Sequence, residues 1–550
     1  MAVMTGGEAL VAALAAHGAD TVFGIPGTHN LTVYAAMARH GIRHVSPRHE
    51  QGAGYAADGY ARSSGRPGVC LTTTGPAILN AAAAAAQAYS DSVPVLFVSP
   101  GMPLRHPGRG NGLLHEVKDQ SAAMAAVLGR SHRVASVGEI PLAVAQAWTD
   151  LTSGRPRPVH LEIPLDLLEE RAEVTAAGPV PAADRIPAAE AVDAAAAACA
   201  AARRPVLVVG GGAARAGGEV VRLAEAVGAP VVSTANGKGV VPEDHPLFVG
   251  AGLQHQCVLD LMDDSDLVIA VGTEFAPSDW WIGLPDLSGK VLRVDVDPAQ
   301  IVTNVIPEVS LVGDAALALR ALLARTGAAG AEGPAGPAAE RAARWRALHR
   351  AAARDEGAPW LPIVSAIAEA LPRDAIVASD SAMACYYGAL SNLPLHRPGG
   401  FLYPTGGGTL GFGLPAGIGA KIAHPGTAVL VLQGDGGTMF TVAELAAAAE
   451  LGIALPVVVV DNGGYGEIRN EMADRDEPVH AVALGGPDFP ALARSLGCHG
   501  VRAGDPAELT GAIKTALEAD RPTLIHVREE SRAARGMASA SDTVSARGTA

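Results

Sequence analysis

Residues 429–468 read VLVLQGDGGTMFTVAELAAAAELGIALPVVVVDNGGYGEI, and this stretch decides the fold. A Val/Leu run ends in Gly434-Asp435-Gly436-Gly437, an Ala-rich helical segment follows, and a second apolar run ends in Asp461-Asn462-Gly463-Gly464. Short apolar runs without alternation belong to strands covered on both faces, and a helix between two of them makes the strands parallel. Both runs then finish at the same carboxyl edge, where ligands of open α/β sheets bind. Asp435 and Asn462 offer two hard oxygen ligands at that edge, and the turn glycines let a carbonyl and a phosphate come close. Mg²⁺ is usually held by one or two protein oxygens plus substrate phosphates. The N–H groups of Gly436, Gly437 and Thr438, at the helix start, are expected to receive phosphate oxygens.

The same pattern of apolar runs and Ala-rich helices continues outward in both directions. It predicts an α/β chain of three doubly wound parallel-sheet domains. The first spans residues 1–175, with strands in TVFGIPG, HVSP, GVCLTTTG, PVLFVSP and PVHLEIP. A Pro/Ala-rich connector leads to a middle domain at 188–325. Residues 326–354 read as a low-complexity linker and a connecting helix, 355–530 as the third domain, and 531–550 as a flexible tail. The middle domain contains GGGAARAGG at 210–218. It lacks G-x-G-x-x-G, and the strand after it does not end in an acid that could hold a ribose, so it reads as a tight turn.

A formal charge of −15 argues against nucleic acid or an anionic membrane as partner, since both require a basic face. The five cysteines, Cys70, Cys199, Cys257, Cys385 and Cys498, are scattered without metal-ligand spacing. The N-terminus lacks a basic leader and reads as an amphipathic helix, and no apolar run approaches the ~20 residues that span a bilayer. A cytoplasmic location is expected.

The 429–468 segment resembles the cofactor motif of thiamine-diphosphate enzymes, which runs from GDG to an Asn some twenty-five to thirty residues later. The resemblance implies that the three domains are pyrimidine-binding, middle and diphosphate-binding, and that Asp435, Asn462 and the Gly464 carbonyl hold Mg²⁺. Asp461 stands where the family often has Asn. In HVSPRHEQGAGYAADGYAR (44–62), Glu50 opens a helix, a position where a carboxylate usually complements the dipole. In the resembling family this glutamate bonds N1′ of the aminopyrimidine and helps the thiazolium lose its C2 proton. TGGGTLGFGLPAGIGA (405–420) implies Leu410 as the side chain that props the bent cofactor and Gly408 as the carbonyl for N4′. Asp380, Ser381 and Ala382 are expected to add a diphosphate contact. In the family the first domain of one subunit faces the third of another, which implies a homodimer or homotetramer with the active site at the interface.

Substrate-handling candidates are Thr28 and His29 in GIPGTHN, Thr73 in TTTGP and His115 in GLLHE. The sequence lacks the adjacent His-His pair of pyruvate decarboxylases. IRHVSPRHEQGAGYAADGYARSSGRPGV, GNGLLHE and DNGGYGEIRNEM are similar to 5-guanidino-2-oxopentanoate decarboxylases. A guanidinium substrate requires a carboxylate, and Glu467 is the first candidate with Glu471 second. VGTEFAPSDWW departs from the corresponding stretch of the flavin-containing acetolactate synthases, so FAD is not expected. The expected reaction is decarboxylation of a small-molecule 2-oxo acid to an aldehyde. The alternative is an acetolactate synthase-like carboligase that joins the acyl fragment to a second carbonyl compound.

Overall fold

The computed structural model describes residues 2–108, 110–180, 185–281, 283, 285–326 and 336–529. Three sheets of six strands carry these residues, and every strand pair within them is parallel. The three-domain α/β expectation is met, and the reason lies in the sequence: the central strands are continuous apolar runs that only a two-sided cover of helices can bury.

In the first sheet the spatial order is Arg43–Val45, Thr21–Gly24, Gly68–Leu71, Val95–Gly101, Val159–Pro164 and Ser131–Arg133. The third sheet runs Phe401–Leu402, Ile376–Ser379, Val429–Gly434, Pro456–Asp461, Thr523–Arg528 and His499–Ala503. Counted along the chain, both follow 2-1-3-4-6-5. The middle sheet follows 3-2-1-4-5-6 instead, from Phe248–Ala251 through Val231–Ser233, Pro205–Val209, Leu267–Val271 and Val291–Asp295 to Val309–Val312. The 210–218 glycines form the tight turn read from the sequence. A Cβ on Gly210 would run into the Gly272 carbonyl, so the turn packs against the next strand's exit.

Five strands of these three sheets escaped the sequence reading: Ser131–Arg133, Phe248–Ala251, Val309–Val312, Phe401–Leu402 and His499–Ala503. All lie at sheet edges, where a strand is short or carries polar residues on its uncovered side. The N-terminus also differs from the expected uninterrupted helix. Ala2–Thr5 is a strand paired antiparallel with Arg171–Val174, and the helix Gly6–Ala16 starts only at the Thr5/Glu8 capping box. The connecting helix is Pro337–Glu356. Residues 327–335 of the expected linker and the tail 531–550 lie outside the described residues.

The outer domains share an apolar cluster. It joins Tyr55, Ala56 and Tyr60 of helix Glu50–Ser64 to Phe412, Leu414 and Ile418 around helix Gly413–Ala423. The two helices touch at backbone distance: a Cβ on Gly59 would strike the Ala416 carbonyl, and one on Gly419 the Ala56 carbonyl. Buried Arg62 locks the same seam through ion pairs to Asp58, 2.5 Å, and Asp91, 2.7 Å. Asp91 in turn accepts the Gly406 N–H of the glycine-rich loop at 2.8 Å.

Candidate active site

Strand Val429–Gly434 delivers Asp435 into helix Asp435–Thr441, and strand Pro456–Asp461 delivers Asn462 beside it. Asp435 is 3 % exposed, accepts the Asn462 N–H at 3.3 Å, and has its carboxyl pushed up by burial. The Asn462 side-chain oxygen is buried and has no hydrogen-bond partner. A buried amide oxygen left bare costs about 1–3 kcal/mol, which a cation would recover. The Gly464 carbonyl (φ +139°) is close by and would lie 3.4 Å from a Cβ built on Gly436. Among the described residues no three His, Cys, Asp or Glu side chains gather as a metal cage. One carboxylate, one amide oxygen and one carbonyl instead suit Mg²⁺ completed by phosphate oxygens.

The departure at Asp461 has a local account. Its carboxylate accepts the Gly463 N–H at 3.0 Å and pairs with His526 at 2.8 Å, so it shapes the metal turn from behind. Gly436 and Gly437 lie in the helix's first turn, and Thr438, one residue further in, uses its hydroxyl on the Gly434 carbonyl at 2.7 Å.

Asp380 takes a bracing position. It is fully buried and accepts the N–H groups of Gly411 at 2.8 Å, Phe412 at 3.3 Å and Ser381 at 2.9 Å. Burial pushes its carboxyl up to about 6. It thereby anchors the loop that carries Gly408 (φ +57°) and Leu410, while Thr441 holds the Gly411 carbonyl from the other side at 2.8 Å. Ser381 stands next to it, and Ala382 packs toward Gly434.

On the first domain, Glu50 begins helix Glu50–Ser64, and its carboxylate accepts a 3.0 Å bond from Asn80. The residues ahead of it are held by Glu444 of the third domain, which accepts the N–H groups of Arg48 (3.0 Å) and His49 (3.0 Å). Glu444 is 1 % exposed, and burial pushes its carboxyl up to about 7. A Glu at the start of an Ala-rich helix gave no sequence signal for this contact between domains.

His29 and His115, 86 positions apart, meet edge to face with ring centroids 5.1 Å apart. His29 Nδ1 lies 3.0 Å from the Thr74 hydroxyl, and burial, then His115, lowers its proton affinity. His115 (φ +63°) sits in a non-glycine left-handed conformation, packed on Gly75. Its Nδ1 and the Thr73 hydroxyl are buried without partners. Thr28 is exposed at the start of the same turn as His29.

Glu467, on helix Gly466–Asp474, is half-buried and accepts the Tyr387 hydroxyl at 2.7 Å. Glu471 is exposed and pairs with Arg475 at 3.1 Å. A 730 Å³ cavity opens at the carboxyl edge of the middle sheet, lined among others by Gly210, Gly211, Glu274 and Asp295, with Arg155 from the first domain. Arg155 and Glu274 form an ion pair of 2.7 Å in that lining. No helix among the described residues is long and apolar enough to cross a membrane.

Three parts of the chain match thiamine pyrophosphate enzyme domains: 4–124 the N-terminal TPP binding domain, 192–322 the central domain and 382–527 the C-terminal TPP binding domain. A protein of Pseudomonas aeruginosa, named probable 2-ketoarginine decarboxylase AruI, is 44 % identical over 96 % of this chain and 94 % of its own length. The probable acetolactate synthase large subunit of Methanocaldococcus jannaschii is 33 % identical over 95 % and 92 %. The acetolactate synthase isozyme 2 large subunit of Escherichia coli is 32 % identical over 95 % of each chain.

Proposed function

The chain belongs to the thiamine pyrophosphate enzyme family, and on that premise we propose that it decarboxylates a 2-oxo acid to an aldehyde, with thiamine diphosphate and Mg²⁺. The observation that carries the reading is the bare Asn462 oxygen beside buried Asp435 at two strand ends. The similarity to a 2-ketoarginine decarboxylase, higher than to the acetolactate synthases, supports decarboxylation over carboligation and 5-guanidino-2-oxopentanoate as substrate.

Asp435, Asn462 and the Gly464 carbonyl would hold Mg²⁺. Gly436, Gly437 and Thr438 stand where the diphosphate would lie, with Ser381 and Ala382 flanking and Asp380 bracing the loop opposite. Once bound, the cofactor supplies the electron sink that lets the carboxylate leave as CO₂. Glu50 would bond the aminopyrimidine, with the Gly408 carbonyl and Leu410 fixing its orientation. His29 and His115 would pass protons to and from the substrate, with the Thr28 and Thr73 hydroxyls as bonding groups beside them. Glu467 would face the far end of the substrate.

We place the active site between two copies of the chain. Exposed Met439 and Phe440 follow the metal turn, and exposed Leu79 and Leu114 flank Asn80 and His115, so both halves carry an apolar rim. Mixing Glu50→Gln with Asp435→Ala subunits should then restore part of the activity that each lacks. The departure of VGTEFAPSDWW from the flavin-containing synthases is the ground for a flavin-free protein, to be checked by the absorbance near 450 nm after purification. A reducing cytoplasm suits the five unpaired cysteines.

The deciding experiment is turnover on a panel of 2-oxo acids, following CO₂ and the organic product. CO₂ with an aldehyde upholds the proposal, whereas CO₂ with a hydroxyketone moves the chain to the carboligases.

A further inference from the structure

We infer that Trp281, Tyr386, Tyr387 and Glu467 form an aromatic box that accepts a cationic substrate end, with a planar guanidinium as the group that fits it. The inference rests on the reading of the chain as a 2-oxo acid decarboxylase and names what that site selects.

The box lies one helical turn from the metal site. Met383, whose sulfur is 3.9 Å from the Asn462 amide, leads directly into Ala384–Ala389, a π-helix. A π-turn is wider than an α-turn and is commonly found at functional sites. This one carries two successive tyrosines whose rings meet edge to face at 4.6 Å. Trp281 comes from the middle domain and stands edge-on to both, at 5.8 Å from Tyr386 and 5.6 Å from Tyr387. Trp360 stacks behind Tyr387 at 5.7 Å and fixes its plane.

Two neighbouring tryptophans show that the third wall does more than fill a core. Trp280 is fully buried, whereas Trp281 is 43 % exposed and adopts φ +54°, a conformation unfavourable for a non-glycine residue. The backbone is strained where the indole turns toward the tyrosines.

Glu467 closes the box. Its carboxylate accepts the Tyr387 hydroxyl at 2.7 Å. Among the described residues no Arg, Lys or His pairs with it. Its charged neighbours are Glu471 and Asp474, and Arg469 turns away to the Asn462 carbonyl at 3.3 Å. Burial pushes the carboxyl up, as expected of an acid without a counter-charge. A guanidinium supplies that charge, forks onto a carboxylate and lies against aromatic faces, which a compact ammonium does less well. An uncharged chain would leave Glu467 desolvated and unpaired.

The test compares kcat/KM of the holoenzyme for 5-guanidino-2-oxopentanoate with that for 2-oxooctanoate, a 2-oxo acid of similar length with an uncharged side chain. The guanidino-to-neutral ratio should exceed unity and fall about 100-fold in Glu467→Gln and about 10-fold in Tyr387→Phe and Trp281→Leu. A parent without preference, or variants whose ratio equals the parent's, would overturn the box and leave the decarboxylase reading standing. Binding of 5-guanidinopentanoate, which has no reacting carbonyl, is measured alongside by calorimetry on enzyme loaded with thiamine diphosphate and Mg²⁺. If no 2-oxo acid releases CO₂, the decarboxylase reading falls, and this titration decides the box: binding at least about ten times weaker in Glu467→Gln upholds it, equal binding rejects it.

Discussion

The first and third domains are two copies of one strand order that do opposite work. In each, the candidate residues sit in the loops after the first four strands of the chain. After the first strand come Thr28 and His29 in one copy and Asp380, Ser381 and Ala382 in the other. After the second come Glu50 and, correspondingly, Gly408 and Leu410. The third strand leads to Thr73 in one and Asp435 in the other, and the fourth to His115 and Asn462 respectively. Loops one and four even touch in both copies, through His29–His115 and through Met383–Asn462. The fold sets where these residues stand; under the proposed function the side chains alone would make one edge a metal and phosphate site and the other a proton-handling surface. The middle domain has a different strand order and holds none of the residues assigned to the cofactor.

The largest effect should come from breaking the third-domain copy. Asp435→Ala should abolish Mg²⁺-dependent binding of thiamine diphosphate and lower turnover by at least about 1,000-fold, read by tryptophan quenching and CO₂ release. Its counterpart, Glu50→Gln, should keep cofactor binding yet slow C2 proton exchange by about 1,000-fold, measured by NMR on the bound cofactor. Unchanged exchange would remove Glu50 from the chemistry. His115→Gln should lower kcat by about 100-fold, with cofactor affinity intact.

Two further changes probe the seam that joins the copies. Gly419→Ala pushes a Cβ onto the Ala56 carbonyl and should cost about 3 kcal/mol in urea unfolding, without altering the pocket chemistry per folded molecule. Glu444 offers the mildest probe. Its folded value of about 7 stands above the ordinary 4.5, so its contribution is fully present below about pH 4.5 and is lost as pH rises through about 7. Parent stability relative to Glu444→Gln should therefore decline by on the order of 1–3 kcal/mol between those limits, seen as converging urea midpoints.

Legibility followed burial and covalent proximity. Central strands such as PVVVV and VLVL could be read because covering on both faces demands unbroken apolar runs. Edge strands such as His499–Ala503 could not, since a half-exposed strand has no such demand. The metal turns were visible because each donor sits in a glycine turn directly after its own strand. The bracing role of Asp380 was not, because its partners Gly411 and Phe412 lie about thirty residues away and are backbone N–H groups, which every sequence has.

By itself the sequence determined the parallel α/β architecture, the Asp435/Asn462 pair and the glutamate that opens its helix, since these follow from local pattern and strand-end chemistry. Only the tertiary structure decided that His29 meets His115, that Glu444 holds the Glu50 helix, and that Trp281 closes on Tyr386 and Tyr387. Each of those contacts joins residues far apart in the chain, and what brings them together is the packing of sheets and helices, which leaves no periodicity to read.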